Sequence, residues 1–301
     1  MTGDGPLASN REESQAVSVS RGDLITLTKA RLSLLVLVTT FFGFLLASKG
    51  AFQWMLLVHT LVGTGLTAFG SAVFNQLMEI DSDARMKRTS DRPLPAGRVP
   101  TSVAFLIGWV LAGFGIVHLA LKVNFQASFL AAVTLIIYLF VYTPMKRKSS
   151  LNTLVGGVAG AIPPVIGWVA GGGGYGVEAW FLFGLLFLWQ LPHFVAINWM
   201  YREEYVRGGF VMWSNDDESG AKTSGLALVF SVMLTALLVV PYLCGFGGWV
   251  SLVGGVLLGL VMVGLSLRFR RERDRGSARR LFFYTLMYLP LVFVVLVISW
   301  R

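Results

Sequence analysis

The sequence predicts an all-α polytopic membrane protein with nine transmembrane helices, and three observations carry that prediction. Hydrophobic residues make up 55% of the 301-residue chain and charged residues only 14%, a balance far from that of water-soluble domains. Apolar runs near the roughly 20 residues needed to cross a hydrocarbon core recur along almost the whole chain. Lys and Arg collect in alternate connections between those runs, as the positive-inside rule requires.

In order, the spans are read at 32–48, 54–78, 102–121, 124–142, 152–170, 178–200, 225–245, 248–267 and 281–300. The segment before the first holds Arg11, Arg21, Lys29 and Arg31, and the connection at 79–100 holds Arg85, Lys87, Arg88, Arg92 and Arg98. The connections at 143–150, 201–224 and 268–280 bring that side to 22 of the 25 basic residues, leaving Lys49, Lys122 and Arg301 on the other. The N-terminus is therefore expected in the cytoplasm and the C-terminus outside. Topology and anionic headgroups account for the net charge of +9, which removes the need for a nucleic-acid partner.

Residues 1–22 read as a disordered cytoplasmic tail and 23–301 as one intramembrane domain. No amphipathic Arg- and Ser-rich transit segment is evident, which favours a bacterial inner membrane. A single cysteine, Cys244, leaves no internal disulfide or thiol redox pair to consider. Little chain remains outside the spans, so any chemistry must lie among the helices or in their short connections.

NQLMEIDSDARMKRTSDRPLP, residues 75–95, closes the second span. If that helix continues, Asn75, Glu79 and Asp83 fall at i, i+4 and i+8 on one face over about 12 Å. Asp81 joins them if the helix unwinds near 82. Such oxygens suit Mg²⁺, which binds through one or two carboxylates plus substrate phosphates. The plainer reading is a charged helix end, although carboxylates at a helix C-terminus oppose the macrodipole unless cations compensate. Arg85, Lys87 and Arg88 can compensate, or can bind a phosphate beside a metal. YTPMKRKSSLN, 142–152, is a second basic turn, equally compatible with a purely topogenic role. WQLPHFVAINWMYREEYVRGGF, 189–210, places His193 and Asn198 inside an apolar helix and Glu203 and Glu204 at its end. Polar groups at membrane depth face a cavity or a partner. Acidic clusters on one membrane face, rimmed by base, suit a Mg²⁺-clamped diphosphate with an apolar tail in the bundle.

These three stretches, with DLITLTKARLSLLVLVTTFFGFLLA near the N-terminus, resemble the UbiA superfamily of intramembrane prenyltransferases. Within it they are most similar to the haem-farnesylating branch, the protohaem IX farnesyltransferases. The resemblance implies a bundle around a central cavity, with Mg²⁺ as cofactor and farnesyl diphosphate and haem b as substrates. The farnesyl group passes to a haem vinyl group and water completes the addition, giving haem O; haem A synthase or terminal-oxidase assembly are the implied partners. Carried over by position, Asn75, Glu79 and Asp83, with Asp81, would hold a metal, and Lys146 would assist catalysis. Arg85, Lys87, Arg88, Arg92 and Arg147 would bind diphosphate. Glu203 or Glu204, with Asp217, would form a second acidic patch. His193, Asn198, Tyr142 and Asn152 would border the haem or substrate cavity. Glu79 and Glu204 stand where aspartate is common in the family. A sister enzyme acting on a quinone precursor would share the metal site. A transporter is disfavoured because the acidic groups lie at one face instead of the midplane, and a non-catalytic haem carrier would not need Asn75, Glu79 and Asp83 together.

Overall fold

A computed structural model describes residues 19–48 and 52–301. Lys49 and most of the expected tail at 1–22 lie outside the described residues. The tail's expected boundary falls inside order: a short helix, Arg21–Leu27, begins there, with Ser20 accepting a hydrogen bond from the Asp23 N–H as its N-cap.

Among the described residues nine helices are long and apolar enough to span a membrane. They are α1 (Ala30–Ala47), α2 (Trp54–Met78), α3 (Thr101–Lys122), α4 (Phe125–Met145), α5 (Asn152–Ala170), α6 (Val177–Met200), α7 (Ala221–Leu243), α8 (Trp249–Glu272) and α9 (Arg275–Ser299). Each coincides with an expected span because bilayer thickness, more than local propensity, sets the length of an apolar run. α8 and α9 extend beyond their apolar segments. Arg and Glu are good helix formers, Arg268 pairs with Glu272 one turn on at 2.7 Å, and Asp274 caps α9 through the Ser277 N–H.

Three departures from regular helix shape the interior. α2 stops at Met78, Glu79 takes a non-helical conformation (φ −111°), and the chain restarts as the short helix Ile80–Arg85. The break therefore falls at Glu79, not near 82. The last turns of α4 widen into a π-helical segment, Ile137–Tyr142, a form that recurs at functional sites. α5 is divided at Ile162 by Pro163 and Pro164, which cannot supply the N–H groups a continuous helix needs. α6, by contrast, runs unbroken through Pro192.

Small residues bring the helices together. Between lipid-facing helices there is little hydrophobic driving force, so close backbone approach and dispersion must hold the bundle. Gly70 lies against the Gly108–Ala112 turn of α3, and Gly115 of α3 against Thr67 of α2. Where α1 crosses the second half of α5, Gly43 meets the Pro164 carbonyl and Gly167 meets the Thr40 carbonyl so closely that a Cβ would overlap either oxygen. Gly167→Val should therefore separate α1 from α5. Overpacking of this kind costs about 1–3 kcal/mol or more, and the thermal midpoint of the detergent-solubilised protein is expected to fall clearly. Gly113→Ala, which adds a methyl to open space, should leave it unchanged. Equal midpoints for both variants would contradict this account of the crossing.

Candidate active site

At the end of the bundle that carries the basic connections, a polar cavity of about 250 Å³ is lined by Lys29, Glu79, Asp83, Arg88, Arg92, Tyr142, Lys146, Asn152, His193, Phe194 and Asn198, among others. Its oxygens come from the region where α2 breaks, and each meets a cation. Asn75 Oδ1 accepts from the Lys29 ammonium, and Asn75 Nδ2 donates to Thr143 Oγ1 at 3.1 Å. Glu79 pairs with Lys146 at 2.7 Å and Asp83 with Arg92 at 2.6 Å. Asn75, Glu79 and Asp83 are all buried, where an unpaired carboxylate would be strongly destabilising.

Local structure supplies each cation. Gln76 Nε2 donates to the carbonyls of Thr26 and Leu27 (2.8 and 2.9 Å), tying down the end of the helix Arg21–Leu27. Lys29 then takes a left-handed conformation (φ 48°, ψ 44°), uncommon for a residue with a Cβ. That turn aims its side chain at Asn75 instead of at the headgroups. Lys146 lies over the ring of Tyr142, and its carbonyl accepts from the Val211 N–H at 2.7 Å. Asn152 donates from Nδ2 to the carbonyls of Ser149 and Val211, each at 2.7 Å, so it joins the second basic turn to the segment after α6. Thr89 Oγ1 donates to the Asp83 carbonyl at 2.8 Å and folds the loop carrying Arg92 back over the break.

Directly beneath lies an apolar cavity of about 270 Å³. It shares Lys29, Leu32, Tyr142 and Phe194 with the polar one and continues past Val36, Ala68, Leu135 and Tyr138 to Ile166. Several of its hydroxyls are already engaged inside their own helices: Thr67 donates to the Gly63 carbonyl and Thr134 to that of Leu130.

The remaining sequence-derived candidates lie elsewhere. Asp81 is exposed, because it lies two residues from the buried Asp83 on the short helix Ile80–Arg85 and so occupies the opposite face. Arg85 is exposed and turns back to the Asp81 carbonyl; Arg147 is exposed and borders neither cavity. Lys87 lies in a neighbouring pocket. The expected second acidic patch is dispersed. Glu203 pairs with Arg275 at 3.1 Å, while Glu204 pairs with Arg207 at 2.6 Å and accepts the Lys87 N–H at 2.8 Å. Asp217 accepts the Thr223 N–H at 2.7 Å at the start of α7. Burial opposes its ionisation, but the backbone donors of Thr223 and Lys222 keep it below its usual range. Lys29 and Phe194 went unrecognised as site residues in the sequence. Lys29 looked topogenic, and the left-handed turn that redirects it has no glycine to announce it.

His193 lines the polar cavity on α6. Thr285 Oγ1 donates to the Phe282 carbonyl at 2.6 Å and therefore accepts from His193 Nδ1 at 2.8 Å. That fixes the proton on Nδ1 and leaves the lone pair on Nε2. His193 also stacks on Phe282, with ring centroids 4.8 Å apart. His59 and His118 bond to each other at 3.2 Å between α2 and α3, near the opposite end of those helices from the site. Asn198 borders the polar cavity and is buried, with Nδ2 unpartnered among the described residues.

Two carboxylates and an amide oxygen form the hard-oxygen set that Mg²⁺ takes together with substrate phosphates. Among the described residues no three His, Cys, Asp or Glu side chains gather to hold a metal unaided. The set fits a divalent ion when an anion is present to draw Lys29, Lys146 and Arg92 off the oxygens.

The cage makes two measurable demands. Lys146→Met leaves Glu79 buried and unpaired, a loss of about 3–5 kcal/mol. Lys146→Met/Glu79→Gln should regain most of that stability in thermal unfolding yet remain inactive; a double variant no more stable than the single one would contradict the pairing. The second demand concerns pH. Burial lowers Lys29 from 10.5 to about 7, with the Glu79 carboxylate opposing. Because the unfolded chain holds that proton to higher pH, stability rises with pH through this window. Burial also works against both charges of the Glu79–Lys146 pair. Their mutual attraction nevertheless keeps the acid below and the base above its ordinary range, so neither titrates between pH 7 and 9. The ligand-free protein should thus melt higher at pH 9 than at pH 7, and Lys29→Met should flatten the profile. A wild-type midpoint falling over that range would contradict it.

The UbiA prenyltransferase family matches residues 36–289. The chain is 40% identical over 286 residues to the protoheme IX farnesyltransferase of Solibacter usitatus, covering 92% of this chain and 98% of that one. It is 37% identical to the protoheme IX farnesyltransferase of Aquifex aeolicus, covering 92% and 94%. Among solved structures, a digeranylgeranylglyceryl phosphate synthase superposes with a TM-score of 0.77 at 16% identity over 92% of this chain and 97% of the other. A UbiA homolog from Archaeoglobus fulgidus bound to GPP and Mg²⁺ superposes with a TM-score of 0.66 at 15% identity over 91% and 99%. Sequence and fold agree that the chain belongs to the UbiA prenyltransferase family.

Proposed function

We propose that this protein transfers the farnesyl group of farnesyl diphosphate to a vinyl group of haem b, giving haem O. One observation supports it above the others: a cation-lined cavity abuts an apolar one across the shared wall of Lys29, Leu32, Tyr142 and Phe194. That arrangement suits a substrate with a polyanionic diphosphate head and a hydrocarbon tail. The haem assignment follows the protohaem-farnesylating relatives.

Lys29, Lys146 and Arg92 would exchange Asn75, Glu79 and Asp83 for the diphosphate oxygens, with Arg88 beside them. Asn75, Glu79 and Asp83, so released, would hold Mg²⁺, which supplies Lewis-acid stabilisation of the leaving diphosphate. As the bond between the allylic carbon and oxygen breaks, the electron pair leaves with the diphosphate. Fixed cations aimed at that charge lower the barrier without reorganising. The allylic carbon lies at the junction of the two cavities, against Tyr142 and Phe194, whose ring faces stabilise positive charge. The outer vinyl carbon then bonds to it, leaving the inner carbon electron-poor and conjugated with the macrocycle. Water adds there and releases a proton, which completes the hydroxyethylfarnesyl group. Haem lies along α6 near His193, whose Nε2 lone pair is left free by the Nδ1–Thr285 hydrogen bond. The protein works in a bacterial inner membrane, with its basic end and N-terminus cytoplasmic and its C-terminus outside, and its product goes to a haem A synthase or a terminal oxidase.

The test is to incubate the purified protein with haem b, farnesyl diphosphate and Mg²⁺ and to analyse extracted porphyrins by mass spectrometry. A farnesylated, hydrated haem is expected, reduced at least about 100-fold in Asp83→Asn by loss of a charged transition-state contact. Absence of any new haem would overturn the acceptor; prenylation of an aromatic acid instead would retain the diphosphate site alone.

A further inference from the structure

A third pocket, open and about 450 Å³ in volume, adjoins the polar cavity at the same end of the bundle. It is lined by Lys87, Arg88, Met200, Tyr201, Glu203, Glu204 and Arg275, and only Arg88 is common to both. Its charges are unevenly committed. Glu203 is held by Arg275, and Glu204 by Arg207 and the Lys87 backbone N–H. Neither the Lys87 ammonium nor the Arg88 guanidinium forms an ion pair among the described residues. The Arg88 guanidinium carbon lies over the rings of Tyr201 and Tyr205, 5.1 and 4.9 Å from their centroids, a cation–π contact that leaves its N–H groups without an ion-pair partner.

The pocket also continues an apolar face. His193, Ile197 and Met200 follow one another on α6 at i, i+4 and i+7, a single stripe of about 10 Å. The first two line the polar cavity and the third lines the pocket. A ligand lying on this stripe has an uncharged middle, one edge at the junction where the allylic carbon sits, and the other edge among Lys87, Arg88 and Arg275. Haem has that distribution: a flat macrocycle with vinyl groups on one side and two propionate carboxylates on the opposite side.

We propose that this pocket is the acceptor's carboxylate site, in which Lys87, Arg88 and Arg275 bind the two propionates and so present the vinyl edge to the allylic carbon. The assignment rests on the proposed function and names the groups that position its second substrate. Lys87, which in sequence reads as a diphosphate ligand, thereby belongs to the other substrate. Arg88, shared by both chambers, faces the diphosphate on one side and a propionate on the other. Arg275 reaches a propionate by exchanging Glu203 for it, both groups being more than half exposed (63% and 64%) and therefore cheap to separate.

The probe pair is haem b and its dimethyl ester, which keeps the macrocycle and vinyl groups but removes both charges. Their affinities for the purified protein are read by absorbance titration, and turnover with each by mass spectrometry. Wild type should bind the diacid about tenfold more tightly than the diester, as expected for charge-assisted hydrogen bonds. Lys87→Gln should remove much of that preference, raising KM for haem b while leaving the diester's affinity and the KM for farnesyl diphosphate unchanged. Arg275→Gln/Glu203→Gln, which deletes the ion pair whole, should do the same, whereas a merely structural pair would weaken diacid and diester alike. A protein that farnesylates haem b but does not distinguish diacid from diester sinks the pocket and leaves the function. One that farnesylates neither sinks both. Variants that change only the response to added phosphatidylglycerol assign the pocket to lipid headgroups and overturn the proposal.

Discussion

Buried negative charge must be neutralised, and the polar end of this bundle is organised by that constraint. Three oxygen-bearing side chains from the α2 break, Asn75, Glu79 and Asp83, meet three cations drawn from three different segments, Lys29, Lys146 and Arg92. In surroundings where a lone carboxylate costs several kcal/mol, each partnership also fixes a loop. Lys29 anchors the turn before α1, Lys146 the end of α4, and Arg92 the loop after the break. The neighbouring polar contacts extend this framework: Gln76 to the carbonyls of Thr26 and Leu27, Asn152 to Val211, and Thr89 to Asp83. Two small hydrophobic clusters back these connections, Leu27, Val73, Leu94, Val99 and Ala104 beneath the turn before α1 and the loop after the break, and Met86, Phe210 and Met212 beside the segment after α6; removing the charges would leave the connections to them alone.

The same pairing gives the site its chemical character. A metal site left empty would expose carboxylates to one another; here internal ammonium and guanidinium groups stand where a metal and its counter-charges would act. A diphosphate competes for those cations and frees the oxygens in the same event, so anion and metal are expected to enter together. Farther in, polarity falls away over one helical turn. Tyr142 and Phe194 border both chambers, and below them the hydroxyls of Thr67 and Thr134 bond within their own helices, so that most of the wall presented to a hydrocarbon chain is apolar, with the unpartnered Thr64 hydroxyl as a polar exception among the described residues. Close glycine crossings of α1 with α5 and of α2 with α3 frame this interior without filling it.

Much of the fold was legible because one variable, the length of apolar runs, dominates it, and the nine spans appear within a few residues of where hydropathy puts them. Asn75, Glu79 and Asp83 were legible as one helix face by their i, i+4, i+8 spacing, whereas Lys146 and Arg92 joined them only through the family resemblance, because basic turns at a membrane face read equally as topogenic. Charge type alone does not tell which partner a side chain takes. Glu203, Glu204 and Asp217 look in sequence like a second metal site, yet they pair with Arg275, Arg207 and the backbone of α7. Asp81 and Arg85, at i and i+4, share the outer face of the short helix Ile80–Arg85, while Asp83 of the same helix faces inward. Lys29 was hidden by its left-handed backbone, a conformation set by the tertiary contact from Gln76. Such outcomes depend on which segments meet, and that information is not local.

The account's central claim is that internal cations hold the oxygens until a diphosphate replaces them. It is tested most directly by titrating the purified protein with Mg²⁺ in a calorimeter, alone and then with a non-hydrolysable farnesyl diphosphate analogue bound. The account predicts no measurable Mg²⁺ binding at millimolar concentration without the analogue, and saturable binding with it. Equally tight Mg²⁺ binding in both titrations would show that the carboxylates form a metal site by themselves and would contradict the exchange.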